Sequence, residues 1–208
     1  MNSDGIKWTV EARVDKYTDE QTAFVSAKTG ILSPVGDDLR KFCAVPEDGT
    51  AYAHGNLLTT VGLTAITALL IGTGGSGKLY NLKSGSPSTN AAMGVGASTT
   101  AATVADTQLG SDGGSAAYQV MDNTYPTVAA GVITGQCSYQ TGFANFAWNE
   151  WGFVSGTGTV APATAPVATI GTGLFATAAS YALWNHKIQS LGTKSSGTWV
   201  LVATVTLQ

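Results

Sequence analysis

Residues that could do chemistry are few in this chain and widely scattered. Gly72-Thr73-Gly74-Gly75-Ser76-Gly77-Lys78-Leu79 has the G-x-x-x-x-G-K spacing of a loop that cradles phosphates. Position 79 is Leu, so the hydroxyl that would hold Mg²⁺ is missing. The segment also follows a run with helical spacing, where a phosphate loop needs a strand. It reads as a glycine connection. His54 and His186 belong to no H-x-x-x-H spacing and have no neighbouring Cys or acidic cluster, so each is expected to be a half-buried polar residue. Asp122 and Glu150 could cleave a glycoside only if both lined one groove. A serine, His54 and Asp122 could be assembled into a triad, but no G-x-S-x-G turn marks a nucleophile. Asp112-Gly113-Gly114 is a turn, not a Ca²⁺ loop. Cys43 and Cys137 lie far apart outside any C-x-x-C spacing, and two unpaired buried thiols are expected rather than a bridge. No metal or cofactor follows from any spacing.

The densest local feature is aromatic. Phe143, Phe146, Trp148, Trp151 and Phe153 fall within eleven residues, and Ala147–Phe153 alternates as a strand would. Ideal alternation puts Trp148 and Trp151 on opposite faces, one inward and the other toward a partner or second layer. Trp8, Phe146, Trp148, Trp151, Phe153 and Trp184 are therefore the expected packing and interface residues. A sugar platform on these aromatics is the alternative. Glu150, set among them, is expected to pair with Lys187 or Lys194.

Charge is distributed unevenly. The first 50 residues hold nine acids and six bases; the other 158 hold four of each, so the net charge of −3 lies entirely in the first segment. A typical domain is about 25% charged. So long a charge-poor stretch leaves little for acid–base catalysis and suits a packed surface or interface. There is no basic patch for nucleic acid. The most apolar run, Leu57–Ile71, is broken by four Thr and a Gly and is shorter than the roughly 20 residues of a membrane span. Residues Met1–Asp4 are polar, with no secretory core behind them.

These residues need elements to position them. Lys7–Tyr17 alternates as a half-buried strand. Thr18–Thr50 is polar and interrupted by Gly and Pro, and reads as an extended arm; residues 1–50 would then be separable from a soluble β core at 51–208. Residues 57–71 read as one short helix, capped by Asn56 or Thr59 and stopped by Gly72. Strands are expected at Ala92–Gly96, Tyr118–Met121, Thr127–Ile133, Gln136–Phe143, Ala147–Val154, Tyr181–Leu191 and Thr198–Leu207, with a low-complexity insertion at 155–177. Many short strands, one helix and long Gly/Ser/Thr-rich loops predict a mainly β, β-sandwich or jelly-roll-like domain.

The ordered series GNLLTTVGLTAITALLIG (55–72), AAMGVGAST (91–99), AYQVMDNTYPT (117–127), FANFAWNEWGF (143–153) and WNHKIQSLGTKSSGTWVLVATVTL (184–207) resembles a family of small virion structural proteins of tailed bacteriophages. It covers 73 of the 208 residues, roughly a third of the chain. The resemblance implies a β-rich, non-catalytic particle subunit, assembled in the host cytoplasm. Such a subunit would decorate the capsid or belong to the tail. Its partners would be the major capsid protein or other virion subunits, together with copies of itself. The charged N-terminal region and the 155–177 insertion depart from the pattern.

Overall fold

The computed structural model describes residues 8–45, 49–55, 57–70, 91–156, 166 and 181–207. The glycine connection at 72–79 and nearly all of the 155–177 insertion lie outside these residues. The fold is mainly β, with two antiparallel sheets stacked as a sandwich. In the first sheet, β1 (Trp8–Tyr17) lies between β2 (Thr50–His54) and β11 (Thr198–Leu207), followed by β7 (Val132–Tyr139) and β6 (Thr127–Ala129). The second sheet runs β3 (Leu57–Leu58), β10 (Asn185–Thr193), β8 (Ala147–Gly156), β4 (Ala91–Gly96) and β5 (Ala116–Val120), with β9 (Tyr181–Leu183) also paired to β8.

Strand alternation builds the layers. Val10, Ala12 and Val14 of β1 and Leu201, Ala203 and Val205 of β11 point between the sheets. There they meet Met93 and Val95 of β4 and Trp151 and Phe153 of β8. The opposite face of β11 carries Val200, which packs with Tyr17, Val25 and Leu39 under a helical layer. The outer face of the second sheet has its own cluster of Leu109, Tyr118, Val154 and Leu183.

That helical layer corrects the expected arm. Residues 18–45 hold α1 (Asp19–Thr29) and α2 (Gly36–Phe42), docked on the first sheet. Thr18 and Gln21 form a reciprocal capping box, and Gly30 closes α1 at φ 75°. At α2, the Asp38 carboxylate accepts from Val35 N at 3.3 Å. β1 is likewise internal to its sheet, bonded to β11 along its full length and to β2 on its other side.

The apolar run divides. Leu57–Leu58 form β3, and α3 spans Thr60–Leu70. Thr59 caps it, its Oγ1 accepting from Gly62 N at 2.9 Å. Helix α3 then sits against the backbone of Trp184: a Cβ on Gly62 would lie 2.2 Å from Trp184 O. Trp184 itself separates β9 from β10, so the expected single strand over 181–191 is two. Both cysteines are free, Cys137 buried and Cys43 half-buried.

Candidate functional site

The aromatic residues converge inside the molecule. Trp148 and Trp151 are both fully buried and share the core between the sheets, which corrects their expected placement on opposite faces. The pairing of β8 with β10 is irregular beside Trp148. Glu150 pairs with Ile188, yet Trp148 pairs with Gly192, so Asn149 on β8 faces three residues of β10. The bulge lies in β10 and bends and twists that strand beside Trp148. Trp148 meets Tyr139 and Trp199 edge-on at 4.9 and 5.0 Å, and its Nε1 donates to Ala144 O at 3.0 Å. Trp184 Nε1 donates to Ser155 Oγ at 2.7 Å, and its ring lies 6.3 Å from that of Phe153. Phe146 is half-buried against this core. Trp8 begins β1, and its side chain lies outside the described residues. With no exposed face on Trp148 or Trp151, these two form no sugar platform.

Glu150 points the other way along β8, and neither Lys187 nor Lys194 is its partner. His186, on the adjacent β10, places Nε2 2.8 Å from Glu150 Oε2, while its Nδ1 lies 2.6 Å from Asp106 Oδ2. Glu150 also accepts from Gly110 N at 2.8 Å, Ser111 N at 3.0 Å and the Ser111 hydroxyl. Gly96 permits this approach, because a Cβ there would lie 2.2 Å from Ser111 Oγ and 2.4 Å from Glu150 Oε1. His186 is therefore buried, not half-buried as expected. Burial works to lower its pKa, but the bonds to Glu150 and Asp106 outweigh burial and hold it above the ordinary histidine value. For Glu150 burial works upward, and the His186, Ser111 and Gly110 bonds bring the net result below the usual carboxylate range. Asp106 is held low in the same sense, burial being outweighed by bonds from Thr103 and His186. An imidazolium with a carboxylate on each nitrogen has no lone pair for general-base work. The arrangement is a clamp that fastens the 97–115 segment to the second sheet.

Asp122 belongs to a separate network under α2. It accepts from Ser138 N at 3.0 Å, Ser138 Oγ at 2.7 Å and Gln136 Nε2 at 2.8 Å. Gln136 Oε1 accepts in turn from Arg40, which also reaches Asp15 at 3.0 Å and Asp37 at 3.0 Å. Arg13 NH2 donates to the same Asp15 oxygen at 3.0 Å. Gly36 N donates to Ser138 Oγ at 2.9 Å, bolting the start of α2 to β7. Burial pushes Asp122 up to about 6, with the Ser138 and Gln136 bonds opposing. Thus Asp122 and Glu150 stand in different networks. His54 is exposed on β2, with Nδ1 3.6 Å from Glu11 Oε1. No triad is assembled from His54 and Asp122.

The surface completes the picture. Six charged residues lie between 91 and 207: Asp106, Asp112, Asp122, Glu150, Lys187 and Lys194. Asp122, Glu150 and Lys194 are buried and the others half-buried, so none is fully exposed. Apolar side chains surface instead on the helical layer. Phe24 is 51% exposed, Phe42 40% and Leu32 94%, and Lys28 Nζ lies 5.5 and 4.9 Å from the two phenyl centroids. Sequence reasoning missed this patch because it had no helices on which to place it. Among the described residues no His, Cys, Asp and Glu group could hold a metal ion, and no helix is long and apolar enough to cross a membrane. No family model, curated protein or solved structure matches the chain.

Proposed function

We propose that this chain is a non-enzymatic structural subunit of a tailed-phage virion. Its role is capsid decoration: it binds as a homo-oligomer and stabilises the shell by bridging major capsid subunits. The observation that carries this reading is that none of the six charged residues of 91–207 is fully exposed, while the helical layer exposes Phe24, Leu32 and Phe42. A surface of Thr, Ser, Ala, Gly and amide groups packs against copies of itself without like-charge repulsion. Exposed aromatic and aliphatic side chains on α1 and α2 gain about 25 cal/mol for each Å² a neighbour covers. The ordered resemblance to virion structural proteins points the same way.

The test uses particles lacking the protein. Phe24→Gln with Leu32→Gln, both at exposed positions, should leave the melting temperature unchanged and abolish particle binding. Undiminished binding by the folded double variant counts against the reading.

A further inference from the structure

We propose that Lys194 and Asn145 form an intramolecular isopeptide cross-link at one end of the sandwich. Lys194 follows β10 directly and is 1% exposed. Its backbone is fixed, Lys194 N donating to Phe146 O at 3.0 Å. Its Nζ lies 2.9 Å from Asn145 Oδ1 and 3.2 Å from Gln140 O. Among the described residues it forms no ion pair with any carboxylate. A buried ammonium held by neutral oxygens is costly, and a neutral amine removes that cost. Burial accordingly pushes Lys194 down to about 8, the field of Asp19 opposing. A desolvated lysine of this kind is an activated nucleophile.

The electrophile is already in place. Asn145 Cγ is one bond behind the oxygen that Nζ touches, and fixed proximity of this kind replaces a bimolecular encounter. The Nζ lone pair adds to Cγ, the bond from Cγ to the carboxamide nitrogen breaks, and ammonia leaves. The two protons that Nζ sheds, from ammonium to secondary amide, go to the departing nitrogen, which leaves as ammonium. No oxidant, reductant or second substrate is consumed. Asn145 is exposed, so ammonia has a direct route to solvent. The product ties the end of β10 to the start of β8, strands already paired through Thr193 and Ala147.

Intact-mass measurement on the purified full-length chain tests the proposal. The expected result is a mass below that of the sequence by one ammonia, with a branched tryptic peptide joining the segments of Asn145 and Lys194. Loss of ammonia should be faster at alkaline pH. Asn145→Ala, at an exposed position, and Lys194→Arg should each show the full mass of their own sequence. A folded wild-type chain that keeps its full mass through prolonged alkaline incubation overturns the cross-link. So does an ammonia loss that persists in Lys194→Arg or Asn145→Ala, since a succinimide at another asparagine gives the same mass.

Discussion

His186 and Glu150 meet at 2.8 Å across two neighbouring strands, both buried, and Asp106 holds the other imidazole nitrogen from a loop 80 residues away in sequence. This contact places the 97–115 segment, and with it the Leu109 and Tyr118 packing on the outer face of the second sheet. Removing Glu150 leaves His186 Nε2 and the Gly110 and Ser111 N–H groups without their buried acceptor. Glu150→Ala is expected to cost about 3–5 kcal/mol. A denaturant titration checks this, as a lower midpoint at unchanged slope.

The clamp also sets a pH profile. His186 is raised above the ordinary histidine value of 6.5, so its contribution is full below 6.5 and is lost as pH rises through the higher folded value. Glu150 and Asp106 are lowered from 4.5 and 3.8, so theirs is present above those values and lost as pH falls through the lower folded ones. All three contributions coincide between 4.5 and 6.5. The stability gap between wild type and His186→Gln should be widest there and narrow toward alkaline pH. Urea midpoints across that range measure it.

Asp122 should titrate far from its class. Burial moves it from 3.8 to about 6, so its contribution is full below 3.8 and is lost as pH rises through about 6. At neutral pH the ionised form is a net cost. Carboxyl-carbon NMR should find one Asp titrating near 6; an Asp122 midpoint in the ordinary range contradicts the buried network.

Gly62→Ala separates helix propensity from packing. Alanine is the better helix former by about 1 kcal/mol. Its Cβ would nevertheless lie 2.2 Å from Trp184 O, on backbone that cannot rotate away. The net result should be a loss of about 1–3 kcal/mol, read as a lower melting temperature.

Removing residues 1–50 should leave no folded core. The cut takes β1, which pairs with β11 from Trp8↔Leu207 to Tyr17↔Thr198 and supplies Val10, Ala12 and Val14 to the centre. A dispersed NMR spectrum from residues 51–208 would contradict this.

Where alternation was regular, the chain was readable. Lys7–Tyr17 and Thr198–Leu207 carry β-branched and apolar residues at every second position, and each forms a strand of the expected extent. Helix α1 was obscured because only Val25 of its eleven residues is buried, so no apolar stripe marks it. The spacing of Thr18 and Gln21 before a polar run, with Gly30 after it, was the available signal. The clamp left no local trace, since Asp106, Glu150 and His186 are brought together by sheet topology rather than spacing. Trp148 and Trp151 misled because both enter the core, so strict alternation does not hold along β8 where it passes the β10 bulge.

A chain that coats a capsid has a fixed address in the particle. Cryo-electron microscopy of purified virions should show density for the sandwich at a regular position on every capsomer. The copy number should be in fixed proportion to the major capsid subunit. Density confined to the tail or baseplate, or absence from the purified particle, would contradict it.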